Sequence, residues 1–266
     1  LTTKQKNKQR PYKTAIVLTD THIRKHDPVT LAAVEAYMGD VWLDYWLHLG
    51  DLMDFDCISD FNRNKLRKVE GARVAADYAE ANAFLDRHTE ACRRKNPACK
   101  MVLLEGNHDE RVARYIDANP VLENLMEPEL QLDLDRRGIQ YVRSWSRNEL
   151  YQLGNARFHH GVYHNKYHAA KMAASFGEPI FYGHLHDIQA YSEILHGNDK
   201  TIMAQSLGCL CKYDQEYLRG RPTKWQQAFA VFHIYPDGYF QHFVVSIFKH
   251  RFIGPTNGKV YDGREL

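Results

Sequence analysis

"KMVLLEGNHDE" (residues 100–110) runs through four apolar residues to a glycine, then ends on an amide, an imidazole and two carboxylates. The apolar run has the length of a buried strand, and Gly106 marks where it turns. An ordinary helix start would account for one polar turn of this kind. Open α/β sheets, however, gather their reactive groups at the carboxyl ends of strands, so the neighbouring segments decide what the turn is for.

Working outward, "KTAIVLTD" (13–20) and "DYWLHLGD" (44–51) read as two more short strands that close on polar residues. Between them, Asp27, Pro28 and Gly39 punctuate a helix over 27–40. A helical pattern covers 65–95, and a further helix is expected over 110–120. Alternating strand and helix through the first 120 residues implies parallel pairing with right-handed crossovers. After about residue 145 the pattern changes. A hairpin over 149–161, a helix over 165–177, a strand over 179–186 and turn-linked strands over 190–208 and 225–248 suggest a largely antiparallel second half. The expected architecture is α/β, two sheets with helices outside. A basic arm is expected over 1–10, a single domain over 11–250 with a cap-like insert near 118–146, and a tail over 251–266.

The bulk composition fits a globular protein: 266 residues, 44% hydrophobic, 26% charged and a net charge of +2, which is no nucleic-acid signature by itself. No stretch has the apolar length of a membrane span, and no membrane association is expected. Five cysteines without framework spacing suggest reduced thiols in a cytoplasmic setting. Cys209 and Cys211 read as small buried apolar residues.

The strand-end polar residues form one ordered set: Asp20 and His22 in "DTH", Asp51 in "GD", Asn107, His108 and Asp109 in "GNHD", His160 in "HHG", and His184 and His186 in "GHLH". Imidazole with carboxylate and no thiolate suits Mn, Fe or Zn and argues against a structural zinc site. Two such ions roughly 3.5–4 Å apart can share one carboxylate and polarise a phosphoryl oxygen. Each piece alone is a weak signal; five in order, each at a strand end, are not.

This order of motifs resembles that of the calcineurin-like metallophosphoesterase superfamily, which includes Mre11-type nucleases, cyclic-nucleotide phosphodiesterases and many phage enzymes. The resemblance implies a four-layer αββα sandwich and a dinuclear centre, most often manganese, with Fe, Zn, Ni or Mg as alternatives. It implies that Asp20, His22 and His186 hold one ion, that Asp51 bridges, and that Asn107, His160 and His184 hold the other. A hydroxide bridging the metals would attack phosphorus, His108 would serve the leaving oxygen, and Asp109 would orient His108 or its loop. His159 is expected on the far side of its strand, and His164 and His168 at the surface.

The substrate is less legible. Arg111 and Arg114, one helical turn apart just beyond His108, suit a phosphate, unless they face Glu123, Glu127 and Glu129. The acids of "DFDCISDFNR" (54–63) would repel a polyanion. The expectation leans to a nuclease or phosphodiesterase acting on DNA, with hydrolysis of nucleotides or cyclic nucleotides as the alternative and a non-catalytic scaffold last. A phage-encoded enzyme would work in the host-cell cytoplasm, and a homodimer is left open.

Overall fold

The computed structural model describes residues 10–195, 197, 200–215 and 218–266, so all of the expected arm but Arg10 lies outside the described residues. Four strands, β1 (Lys13–Leu18), β2 (Tyr45–His48), β3 (Lys100–Leu104) and β4 (Ile139–Val142), pair in parallel in that order. Helices α1 (Pro28–Asp40) and α2 (Val74–Lys95) make the first two crossovers. Asp27 starts α1 as expected, its carboxylate accepting from the Val29 and Thr30 amides at 3.1 Å each. Helix α2 starts later than the pattern suggested. Gly71 stands at φ +76°, a left-handed conformation that interrupts a helix, and the preceding segment forms only a short 3-10 turn at Leu66–Lys68. Helix α3 (Arg111–Ala118) follows β3.

The second sheet runs β5 (Tyr151–Leu153), β6 (Ala156–His159), β7 (Ile180–Tyr182), β9 (Lys200–Ser206), β8 (Ala190–Leu195). It is mixed rather than largely antiparallel, because a helix later in the chain, His168–Phe176, carries the chain from β6 to a parallel β7. Strand β9 also lies parallel to β7. Two late strands, β10 (Ala228–Ile234) and β11 (Phe240–Ser246), return to the first sheet and extend it beyond β1.

Alternating side chains create two faces per sheet. Ile16, Leu18, Trp46 and Leu103 face α1 and α2, whereas Val17, Leu47, Phe181 and Phe232 fill the space between the sheets. Phe181 meets Phe232 edge-on there, 4.7 Å between ring centres. Met172 and Ala173 of the His168–Phe176 helix cover the outside of the second sheet with Tyr182. The layers are therefore helix, sheet, sheet, helix.

Two boundaries differ from expectation. The insert is only partly a cap, since β4 within it is an integral strand of the first sheet. The expected tail is a hairpin, β12 (Arg251–Ile253) and β13 (Val260–Asp262), whose Phe252 and Tyr261 pack on Tyr37 of α1.

Candidate metal centre

The loops leaving β1, β2, β3, β6 and β7 meet at one edge of the two sheets. Two glycines let them come that close. A Cβ on Gly106 would overlap the backbone nitrogen and carboxylate of Asp51, and one on Gly183 would overlap Thr19 Oγ1. Neither has a positive φ, so these glycines serve close approach rather than a special turn. The turning falls on the polar residues themselves: Asp20, His22, Asp51, His184 and His186 all stand between φ +49° and +73°. Left-handed backbone costs a non-glycine residue on the order of 1–3 kcal/mol, and five cases in one cluster mark a site that the surrounding fold forces into shape.

All seven expected ligands converge in two groups around Asp51. In the first, His22 Nε2 lies 3.0 Å from His186 Nε2 and 3.8 Å from both Asp20 Oδ1 and Asp51 Oδ2. In the second, His160 Nε2 lies 3.0 Å from Asn107 Oδ1 and 3.4 Å from Asp51 Oδ2, and His184 Nδ1 lies 2.8 Å from Asn107 Oδ1. Ligand atoms about 2.1 Å from one cation stand at such mutual distances. Asp51 is common to both groups, which is the position of a bridge.

The tautomers support cation binding. His22 Nδ1 lies 3.1 Å from Asp54 Oδ1, and His160 Nδ1 lies 2.9 Å from the Leu49 carbonyl. Both partners only accept, so each Nδ1 carries the proton. In the neutral rings each Nε2 then aims a lone pair at oxygen atoms and at another imidazole nitrogen. Such an arrangement of acceptors needs a cation or extra protons at its centre. Without a cation the burial that would raise Asp20 is outweighed by His186, and the carboxyl falls to about 2. His186 is correspondingly pushed up to about 10 and His160 to about 9, because the neighbouring carboxylates overcome the effect of burial. The residues fit two divalent cations.

Asp54, one of the acids of residues 54–63 expected only to repel a polyanion, is central. Its Oδ1 lies 2.6 Å from His108 Nδ1 as well as 3.1 Å from His22 Nδ1, and Lys25 Nζ stands 2.8 Å from Oδ2. Asp54 therefore orients His108, one of the two tasks expected of Asp109. Asp109 instead accepts from the Gly106 and Met53 amides at 2.9 and 3.1 Å, pinning the Asp51 loop to the Asn107 loop. It is 3% exposed and does not line the cleft; it holds the loop, the second of the two tasks expected of it. Burial, then repulsion from Asp51, raises its carboxyl to about 7. A carboxylate three residues beyond the Gly-Asp turn was the signal available for Asp54.

The other histidines divide. His159 faces away from the centre as expected, accepting from the Gly161 amide at 2.9 Å. His168 is not at the surface: it is buried between Tyr182 and Asp187. His164 is exposed, yet its Nδ1 lies 3.3 Å from His184 Nε2. Cys211 Sγ lies 3.8 Å from His186 Nδ1, and the Trp225 ring packs 4.4 Å from the His186 ring. Both come from the long segment between β9 and β10, which carried no motif.

A cleft of about 370 Å³ opens over this cluster, lined by Asp51, Asn107, His108, Arg111, Phe61 and Trp225 among others. Arg111 Nη2 stands 3.3 Å from His108 Nε2. Arg114 does not reach this cleft; it pairs with Glu110 at 3.1 Å. Neither arginine faces the acids of the insert, where Glu127 caps backbone amides and Glu129 is held by Arg143.

Four layers, two mixed sheets and the convergence of the seven candidate side chains at one sheet edge decide the fold. The chain has the calcineurin-like metallophosphoesterase fold. No protein-family model matches it. It is 27% identical over 241 residues to the Gene 54 protein of Mycobacterium phage L5, covering 82% of this chain and 88% of that protein. It is 26% identical over 235 residues to the Gene 54 protein of Mycobacterium phage D29, with the same coverage. Among solved structures, Chaetomium thermophilum Vps29 covers 94% of this metallophosphoesterase-fold chain at 12% identity and a TM-score of 0.44, over 97% of its own length. Vps29 from Entamoeba histolytica, solved with zinc, covers 93% at 13% identity and a TM-score of 0.42, over 95% of its own length. Likenesses that distant carry nothing about chemistry or substrate. No helix among the described residues is long and apolar enough to cross a membrane.

Proposed function

We propose that this chain is a phosphoesterase dependent on two divalent metal ions, hydrolysing phosphodiesters of nucleic acid. The observation that carries the reading is the pair of imidazole nitrogens, His22 Nε2 and His160 Nε2, that stand 3.8 and 3.4 Å from the same oxygen of the shared Asp51 carboxylate. Asp20, His22, His186 and Asp51 would hold one ion; Asp51, Asn107, His160 and His184 would hold the other. With an oxygen-nitrogen donor set and no thiolate among these ligands, Mn²⁺ is the expected occupant. When bound, such ions polarise a phosphoryl oxygen and make water a nucleophile at neutral pH.

The chain's own residues do the rest. Asp54 accepts the His108 Nδ1 proton and would stabilise the ring when it is protonated on both nitrogens; that imidazolium gives its Nε2 proton to the departing oxygen and is left neutral with Nδ1–H still on Asp54. Arg111, next to that nitrogen, neutralises charge growing on the phosphoryl group. Retention of every ligand and of His108 favours an enzyme over a scaffold. The similarity to phage proteins supports action in a host-cell cytoplasm. A cleft of about 370 Å³ would also accept a single nucleotide, which keeps nucleotide hydrolysis as the second reading.

The test is hydrolysis of bis-p-nitrophenyl phosphate, mononucleotides, cyclic nucleotides and labelled single- and double-stranded DNA with and without Mn²⁺. Metal-dependent cleavage of the diesters is expected. Turnover of none of them would end the enzymatic reading, and turnover of nucleotides alone would favour the second.

A further inference from the structure

The metal cleft does not end at Arg111. A second groove of about 500 Å³ adjoins it, lined by Arg63, Leu66, Arg114 and Tyr115. The two cavities share two residues, Phe61 and Arg111. Phe61 is 69% exposed on the segment that follows the Asp51 loop, with Lys65 Nζ 3.4 Å from its ring centre. The ring stands on the boundary between two cavities rather than on an open face.

Charge sorts the two cavities from the rest of the surface. The second groove carries Arg63, Arg111 and Arg114 against one carboxylate, Asp60; Arg114 is braced by Glu110 at its edge. The acids nearest the boundary, which would repel a polyanion if free, are occupied. Asp54 is held by His22, His108 and Lys25. Asp56 is held by Lys25 at 2.6 Å and by the Asn62 side chain at 3.2 Å. The polyanion therefore meets three arginines, the paired Asp54 and Asp56, and one further acid, Asp60.

We propose that the second groove is a nucleotide subsite for single-stranded nucleic acid. It takes the stretch of strand adjoining the phosphate held at the metal ligands. Phe61 stacks on a base at the boundary, Arg63 contacts the flanking phosphate, and Tyr115 offers a second ring farther along. Rings and arginines along a groove are the usual means of holding a splayed strand without reading its sequence. A free nucleotide would fill the first cleft and leave the second unused, and a duplex keeps its bases stacked away from Phe61. The proposal rests on the phosphodiesterase reading of the metal site.

The experiment is equilibrium binding by fluorescence anisotropy of end-labelled (dT)2, (dT)10 and a ten-base-pair duplex, in EDTA and again with Ca²⁺. The unmodified chain is expected to bind (dT)10 at least about tenfold more tightly than (dT)2, and more tightly than the duplex. One lost stack is worth about 1–3 kcal/mol, or about 5- to 150-fold, so Phe61→Ala should weaken (dT)10 within that range while Phe61→Tyr restores it. Arg63→Ala should weaken (dT)10 and flatten its salt dependence. Equal affinity for both lengths, a preference for duplex, or unchanged binding in Phe61→Ala and Arg63→Ala would overturn the groove. Mn²⁺-dependent hydrolysis of bis-p-nitrophenyl phosphate is read separately. Hydrolysis without length-dependent binding overturns the groove and leaves the phosphoesterase standing. Length-dependent binding with turnover of none of the phosphate esters, labelled DNA included, supports the groove and ends the catalytic reading.

Discussion

The two halves of the centre share a carboxylate but are built differently. In the half around His22 and His186, both rings are buried, and their outward nitrogens meet buried groups, Asp54 and Cys211. In the half around His160 and His184, only His160 is fully enclosed, its outer nitrogen on the Leu49 carbonyl. Asn107 and His184 are half-buried, and the outer nitrogen of His184 meets the exposed His164. Partners beyond the ligand fix an imidazole's tautomer and aim. The first half is thus set by the core, whereas the second is set partly by a surface residue.

Removing what the halves share gives the largest effect. Asp51→Asn should lower phosphodiester turnover by more than about 100-fold, beyond what loss of an outer partner costs, and should lower Mn²⁺ content measured by mass spectrometry. Two full equivalents of metal in that variant would sink the bridging assignment and make the halves independent.

Removing the partners separately should tell the halves apart. Asp54→Ala is expected to weaken one of two Mn²⁺ binding events by about 10- to 100-fold, and also to release His108. A calorimetric titration that still resolves two unperturbed events would remove Asp54 from the first half. His164→Ala should cost less, about tenfold at the other event, because His164 is exposed and water can take its place. If His164→Ala instead equals Asp54→Ala, the contrast between a core-set and a surface-set half fails.

The same contrast explains what could be read in the sequence. The ligands were legible because each stands at the end of a short apolar strand, and a buried strand has little reason to finish on Asp51, Asn107 or His184 except chemistry. Two sheets with helices outside followed from strand–helix alternation and late turns, and the four-layer order from the family resemblance. Asp54 was hidden because its loop also holds Asp56 and Asp60, and sequence alone does not show which carboxylate bends inward. Cys211 and Trp225 were hidden because contact with His186 depends on how the segment between β9 and β10 folds back. Strand β4 and the closing hairpin were missed because each is short and depends on partners more than 30 residues away in sequence, Leu103 and Tyr37 among them.

In one respect the halves match, and pH probes it with the smallest expected effect. Behind the first half, His48 Nδ1 accepts from the Gly50 amide at 3.3 Å while its Nε2 meets Thr21 Oγ1 at 2.8 Å. Behind the second, His159 Nδ1 accepts from the Gly161 amide. In each, a buried neutral ring two residues before a glycine braces the turn that presents a ligand, and a proton on Nδ1 would confront an N–H. Burial pushes His48 down to about 3 and His159 to about 4. Unfolded, both would take up a proton near pH 6.5. Between that value and the folded one the unfolded chain binds more protons, so these rings lower stability as pH falls and cost nothing above about 6.5. The melting temperature of the metal-free protein should therefore drop from pH 7 to pH 5. His48→Gln should be less stable at pH 7 but lose several degrees less over that interval. Parallel curves for the two proteins would show that His48 does not carry the acid sensitivity, and that the turn under the first half is braced by something other than a neutral imidazole.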